Sequence, residues 1–520
     1  LAATVLIGPI LAAPLGGCTM GPDFEHPAPW YSPTSWFQGR PPKVETNRAT
    51  SQEVAEPVDP QWWKLFNDPQ LTALEQRLAD ANLDLRIQTI RLAESRASLG
   101  VAKADALPQV NGNANYTREK QSANGVISLL GGSSSPATGT NGAAGTTGGL
   151  PSSLKQPFDL FQYGFDASWE IDFWGRVRRN VESADATVAA SEESRRDTMI
   201  AALAEMARDY IQLRGTQRQI QITQDNLQAA QQSLALTRER AAGGLTTDLD
   251  VAQAASLVAT TASGLPSLQT QEAQLINAIA LLLGQQPNTM TAELQTAKPI
   301  PPVPPKIPVG LPSELARRRP DIRRAEAQLH AATASVGVAV ADFYPKFTIA
   351  GSGAIQALDA TNLGNWASRS YSIGPSISLP IFEGGRLTRT LELRKAQQQE
   401  AAITYQRTVL NALHEVDNAL TAYDSEQRRR AQLEQAVAQG RRALSLARDR
   451  YTQGIADFLS VLDAQRNLLS TEQQLTDSTT TISTNLVQIY KVLGGGWEDT
   501  FPLYTPNPPT DAPNDQQAAL

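Results

Sequence analysis

In FQYGFDASWEIDF (161–173), the odd positions read Phe, Tyr, Phe, Ala, Trp, Ile, Phe and the even ones Gln, Gly, Asp, Ser, Glu, Asp. A strand turns successive side chains to opposite faces. The segment therefore predicts a strand with one apolar, aromatic face and one polar, acidic face. YSIGPSISLPI (371–381) alternates the same way, and VNGNANY (110–116) and FTIAGSGAI (347–355) are weaker partners. Such alternation over about 10 residues marks an outer-membrane barrel strand. A half-buried strand in a soluble sandwich is the commoner setting for this pattern, but the chain has no other β-rich sequence to build one. Four strands cannot close a barrel, and an open edge in lipid leaves unpaired backbone groups that cost several kcal/mol each. The chain is therefore expected to share its barrel with copies of itself. Two, three or four copies would supply 8, 12 or 16 strands.

Between the strands the period changes. Residues 176–241 contain no proline, and positions 199, 206, 213, 220, 227 and 234 are Met, Met, Leu, Ile, Leu, Leu. That is an unbroken heptad seam. As one helix the segment would be ~100 Å long at ~1.5 Å per residue. A second seam, at 461, 468, 475, 482 and 489, reads Val, Leu, Leu, Ile, Ile; its counterpart at 251, 258, 265, 272 and 279 is broken once, by Glu272. Gly243-Gly244 and Gly454 are placed to reverse the chain between long helices.

The pattern occurs twice. LGVAKADALPQV (99–110) matches VGVAVADFYPKF (336–347) at an offset of 237, and RERAAGGLTTDLDVAQA (238–254) matches RDRYTQGIADFLSVLDA (448–464) at 210. The 27 residues of difference fall in a Gly/Ser/Thr-rich segment, 122–153, which reads as a flexible loop. A period this long with two copies is a duplication, not a solenoid. The expected organisation is 1–17 signal peptide, 18–60 N-terminal arm, 61–290 first repeat, 291–311 Pro-rich linker, 312–496 second repeat and 497–520 disordered tail. Each repeat runs helix, two strands, very long helix, tip, long helix.

Composition narrows the chemistry. The net charge of −7, with 45 basic against 52 acidic residues, gives no support to nucleic-acid binding. One Cys and three His (His26, His330, His414) leave little for metal or thiol chemistry. There is no phosphate loop, zinc spacing or nucleophile elbow, so no catalytic site, metal or cofactor is expected. Residues 1–15 are apolar, about the length of a signal h-region, and Leu15-Gly16-Gly17-Cys18 resembles a bacterial lipobox. Cys18 is expected to carry diacylglycerol and palmitate. The basic n-region is missing, so the chain is expected to be trimmed. Thr19, rather than Asp, follows the Cys, which points to the outer membrane. No later run of 18 apolar residues exists.

Taken in order, WWKLFNDPQL (62–71), DFWGR (172–176), LARRRPDIRRAEAQL (315–329), ADFYPKFTIAGSG (341–353), LPIFEGGR (379–386) and the two tip segments resemble a TolC/OprM-type outer-membrane efflux channel of the lipidated branch. The resemblance runs from the lipobox to about Trp497. It implies an α+β membrane protein, a homotrimer whose single 12-stranded barrel continues into a long α-helical coiled-coil tunnel across the periplasm. It also implies a periplasmic adaptor that opens the tip and an inner-membrane pump of the RND or a related type. In OprM-like members a leucine ring and an aspartate ring, one turn apart, close the tip; Leu459 and Asp463 match them, and Tyr451 matches a tip tyrosine. Ser460 stands where TolC has a second aspartate, and Ala456 where it has a tip arginine, so those contacts do not carry over. Asp463 on a solvated helix face remains the plain alternative. Gly243, Gly244 and Gly454 serve either the turn alone or adaptor docking as well. Asp166, Glu170 and Asp172 on the inner strand face suggest a mild cation preference. Export of small toxic molecules is the expected function. A type I protein-secretion channel and a lipid-anchored coiled-coil scaffold without a pore are the alternatives.

Overall fold

The computed structural model describes residues 19–27, 51–54, 56–57, 59–120, 157–310 and 315–497. The signal segment, Cys18, the segment 122–153 and the tail 505–520 lie outside the described residues. The chain forms two compact units, each built from both halves of the sequence: one takes 97–185, 330–398 and the start of the chain, the other 25–96, 186–329 and 399 onward.

The first unit holds a four-stranded antiparallel sheet. A short strand that precedes it in the chain, β1 (Gln52–Val54), belongs to the second unit and pairs there in parallel with β4 (Lys306–Pro308). The sheet proper is β2 (Gln109–Glu119), β3 (Phe158–Ile171), β5 (Lys346–Ala357) and β6 (Arg369–Ser378), in the order β2-β3-β5-β6. Registers such as Tyr163↔Ile355 and Phe347↔Ile377 put the apolar alternate positions of all four strands on one face. β2 and β6 are the edges, and neither has a second partner among the described residues.

A strap, residues 19–24, crosses the base of this unit. The Met20 N–H donates to the Trp174 carbonyl (3.0 Å). The buried Arg179 guanidinium bonds Asp23 and Glu182 (2.7 Å to the latter). Phe24 stacks on His330 at 4.3 Å, whose Nε2 meets Glu182 at 2.9 Å.

Two short helices, α1 (Pro69–Ala81) and α2 (Leu83–Ala104), lead into the sheet. α1 starts where it does because Asp68 accepts from the Gln70 and Leu71 N–H groups (2.8 and 3.1 Å) and Pro69 needs no donor at the first position. Its buried stripe is Leu71, Leu74, Glu75 and Leu78, packed with Trp62, Trp63 and Phe66. Glu75 is therefore a carboxyl in an apolar row. Neither of its oxygens has a hydrogen-bond partner among the described residues, and burial pushes its pKa well above the usual carboxylate range.

The long helices are α3 (Arg176–Ala242), α4 (Asp248–Leu282), α6 (Arg386–Thr452) and α7 (Phe458–Val492), with α5 (Pro320–Ala341) before β5. α3 and α6 have 67 residues each, α4 and α7 have 35 each, and each pair starts 210 residues apart. α4 runs through Pro266, where a missing N–H would ordinarily end or kink a helix. Of the first seam, Met199, Met206, Leu213 and Leu234 are buried; of the second, Val461, Leu468, Ile482 and Ile489 are. The buried Arg214 bonds the Leu294 and Thr296 carbonyls (3.2 and 2.9 Å) and the Gln70 amide oxygen (2.8 Å), tying the end of the first repeat to α1.

Candidate functional site

Two places carry the chemistry, the sheet and the helix tips. On the sheet's apolar face Phe165 is 68 % exposed and Tyr371 87 %, and Tyr163, Trp169, Ile373 and Ile377 are exposed as well. No described element covers that face. From Phe161 to Ile171 the apolar positions extend ~33 Å along the strand at ~3.3 Å per residue. At a barrel tilt of about 40° this is about 25 Å of height, the thickness of an outer-membrane apolar band. The opposite face carries Asn111, Asn113, Asp166, Ser352 and Ser372, and the two serine hydroxyls meet at 3.0 Å. No helix among the described residues is long and apolar enough to cross a membrane.

The three acids expected to line the polar face do not act alike. Asp166 bonds the Asn113 amide and has no cationic partner among the described residues. Glu170 holds Arg176 through two bonds of 2.8 and 2.7 Å. Asp172 accepts from the Val177 and Arg178 N–H groups (3.2 and 2.9 Å) at the start of α3 and pairs with the Arg178 side chain (3.3 Å). Of these three, Asp166 alone is left without an arginine among the described residues, and Glu119 of β2 shares its face. The first turn of α3, which brings back two arginines, is the reason.

Both tips lie in the second unit and share one backbone design. At the end of α3 the Leu245 N–H donates to the Arg240 carbonyl and the Gly244 N–H to that of Ala241, both at 2.9 Å. At the end of α6 the Ile455 N–H reaches Arg450 (2.9 Å) and the Gly454 N–H reaches Tyr451 (3.0 Å). These are paired 6→1 and 5→2 caps, which need a left-handed residue. Gly244 (φ +71°) and Gly454 (φ +74°) supply it. Gly243 has no positive φ, and a Cβ there would meet only ordinary contacts from 3.5 Å, so the turn does not require a glycine at 243.

The next helix starts with a cap at each tip. Thr247 and Asp250 form a capping box on α4. The Thr246 hydroxyl, and then the Thr247 N–H and hydroxyl, hold the Asp250 carboxyl below the usual carboxylate range against the opposing pull of burial. On α7 the roles are exchanged: Asp457 accepts from the Ser460 N–H (3.3 Å) and hydroxyl (2.9 Å). Sequence reading missed Asp457, although an Asp just before an apolar helical run is a favoured N-cap.

On α7, Phe458, Val461, Leu462 and Gln465 are buried, while Leu459 (47 % exposed), Ser460 and Asp463 share the open side. Asp463 makes no ion pair or hydrogen bond among the described residues. Tyr451 is not on that side. It is buried, edge-on to Phe458 at 5.5 Å, with the Arg240 guanidinium 4.7 Å above its ring. Arg240 also donates to the Thr452 carbonyl (3.1 Å), linking one tip to the other. Leu245, Leu249 and Ile455 are exposed at the tips too, a second group that sequence reading passed over. Leu245 and Ile455 follow the cap glycines, where an apolar residue usually folds back on its own helix. Among the described residues no group of His, Cys, Asp and Glu could hold a metal ion.

A model of the family described as outer membrane efflux protein matches residues 74–285 and 311–495. The outer membrane protein OprJ of Pseudomonas aeruginosa is 32% identical over 498 residues, 94% of this chain and 95% of OprJ. The toluene efflux pump outer membrane protein TtgI of Pseudomonas putida is 32% identical over 490 residues, 93% of this chain and 96% of TtgI. Among solved structures, the outer-membrane channel OprN matches with a TM-score of 0.79 at 33% identity, over 92% of this chain and 100% of that one.

Proposed function

The chain belongs to the outer membrane efflux protein family, and from that premise we propose that it is the passive exit duct of an efflux system in the outer membrane of a Gram-negative bacterium. The observation that carries the proposal is the two-faced sheet, whose edges have no further partner among the described residues: aromatic and aliphatic side chains are exposed on one side, amides and hydroxyls lie on the other. Lipid satisfies the first face, an aqueous bore the second, and only copies of the chain can satisfy the edges. Three copies, closing a 12-stranded barrel, are the reading, and the two-fold repeat lets each copy contribute two strand pairs and two helical hairpins.

The duct performs no chemistry and consumes no energy. Cargo enters through the helical tunnel from an inner-membrane pump, and a periplasmic adaptor docks at the tips around Gly243, Gly244 and Gly454. Three Leu459 side chains close the bore by excluding water, as hydrophobic constrictions do. Three Asp463 carboxylates, one turn further along, repel one another and favour cations in the constriction. Tyr451 braces the tip from behind. Small toxic molecules are the cargo class, in keeping with the solvent named for TtgI. Cys18 carries the lipid anchor, and since the barrel also holds the membrane, Cys18→Ser protein should remain in the membrane fraction.

The test is single-channel conductance in a planar bilayer. Wild type should show a small, cation-selective conductance that grows in Asp463→Ala. A variant that conducts like wild type, with the same response to divalent cations, would show that Asp463 is no gate. An inserted trimer that stays silent with both Leu459 and Asp463 replaced by Ala would sink the duct itself.

A further inference from the structure

We propose that the loop-end rim of the sheet's apolar face binds the phosphorylated headgroup of a membrane lipid through Arg118 and Arg369, on the two edge strands. The inference rests on the barrel reading above, because it takes that face to lie in lipid.

On β2 the apolar-face positions, from the loop end inward, are Arg118, Tyr116, Ala114, Gly112 and Val110; on β6 they are Arg369, Tyr371, Ile373, Pro375 and Ile377. Both strands thus place an arginine two residues outside a tyrosine, with small or apolar residues beyond. The inner strands do not: β3 has Asp159 outside Phe161, and β5 has Ala357 outside Ile355. Tyrosine rings settle at the level of lipid headgroups. A residue two places further out is ~7 Å along the strand, which takes a guanidinium into the phosphate layer. Arginine keeps its charge there and matches two phosphate oxygens at once.

The local contacts leave room for such a ligand. The Arg369 guanidinium carbon lies over the exposed Trp366 ring, 3.7 Å from its centroid. It has no hydrogen-bond partner or carboxylate among the described residues. Arg118 stands 3.8 Å from Asp159, and the Tyr116 hydroxyl donates to the same carboxylate at 2.9 Å. A carboxylate thus stands beside Arg118, while none faces Arg369 among the described residues.

Position decides the geometry of the site. Closing a barrel from several copies joins β6 of one protomer to β2 of the next. The two arginines then face one seam, so a headgroup there meets charge from two protomers. A lipid fits better than free phosphate, because the exposed Tyr371, Ile373 and Ile377 run inward from the charge and would cover acyl chains.

The test is native mass spectrometry of the full chain in detergent, incubated with a bisphosphorylated, acylated glucosamine disaccharide or with its dephosphorylated form. The trimer mass is read first; its absence overturns the barrel reading and takes the seam site with it. On the trimer, one phosphorylated lipid per seam should be retained, and the dephosphorylated lipid should not. Arg118→Gln/Arg369→Gln trimer of unchanged conductance should retain roughly 25-fold less, about fivefold per arginine. Millimolar inorganic phosphate should not strip the lipid. Equal retention by the double variant, equal retention of the dephosphorylated lipid, or displacement by inorganic phosphate would each overturn the site while leaving the trimer standing.

Discussion

The two helix tips, 242–248 and 452–458, have the same backbone and opposite interiors. Each ends a 67-residue helix on a left-handed glycine with two cap bonds, and each starts a 35-residue helix on a polar cap. Behind that shared frame, the second tip buries Tyr451 and Phe458 against each other, where the first has Ala241 and the solvent-exposed Asp248. On the open side, Leu459 and Asp463 stand where the first tip has Leu249 (65 % exposed) and Gln253. The caps dictate only how the chain turns. What surrounds the turn is left to side chains that the caps do not constrain, so two copies of a duplicated hairpin can share a backbone and differ in how closely they are packed.

The largest test of that contrast is Phe458→Ala. Truncating a buried aromatic costs ~3–5 kcal/mol, so amide exchange over 440–470 should rise sharply. Asp248→Ala, in the equivalent place, should leave 235–260 nearly as protected as before. Equal responses would erase the difference. Next, Gly244→Ala and Gly454→Ala should each destabilise their tip by ~1–2 kcal/mol, the cost of a left-handed alanine, and by the same amount in both. Gly243→Ala should be neutral or stabilise by up to ~1 kcal/mol; a marked loss of efflux with intact trimer there would assign Gly243 to docking rather than to the turn.

The caps come third. Thr247→Ala and Asp457→Ala should each cost ~1 kcal/mol. The first tip also has a pH dependence. The folded Asp250 pKa lies below its ordinary 3.8, so its contribution is in full force well above that value and is lost as pH falls through the lowered folded pKa. Exchange over 246–252, corrected for intrinsic rates, should therefore loosen below about pH 3.8 in wild type and lose that dependence in Asp250→Asn. The smallest effect belongs to Arg240→Ala. Loss of a half-exposed cation–π contact is worth ~0.5–1 kcal/mol and should loosen the second tip, although the residue belongs to the first. An effect confined to the first tip would show that the two hairpins are not coupled.

Much of this is legible in the order of the residues. The strand phase, the unbroken helix from Arg176 and the turn glycines all follow from local patterns, and the outer membrane efflux family was recognisable from ordered motifs. Other features were not. The Ala/Asp against Tyr/Phe exchange at the tips is visible in the sequence, but Tyr451 reads equally well as a residue lining an opening or as one packed behind it. Glu170 and Asp172 read as lining charges until the turn into α3 returns Arg176 and Arg178 to them. Glu75 falls in register with Leu71 and Leu78, yet nothing in a run of charged and apolar residues tells that a carboxyl is wholly enclosed.

The division has a physical basis. Which face a residue takes along a strand or helix is a consequence of covalent geometry repeated at a fixed period, and that period is written in the order of the residues. The two faces of the sheet, the helix seams and the turning points therefore follow from residue order alone. Whether a charge is neutralised, or a ring is buried or presented, depends on which groups from distant parts of the chain arrive within a few ångströms. Arg240 on Tyr451, Arg176 on Glu170 and Trp366 under Arg369 are such arrivals, and it takes the folded chain to bring them together.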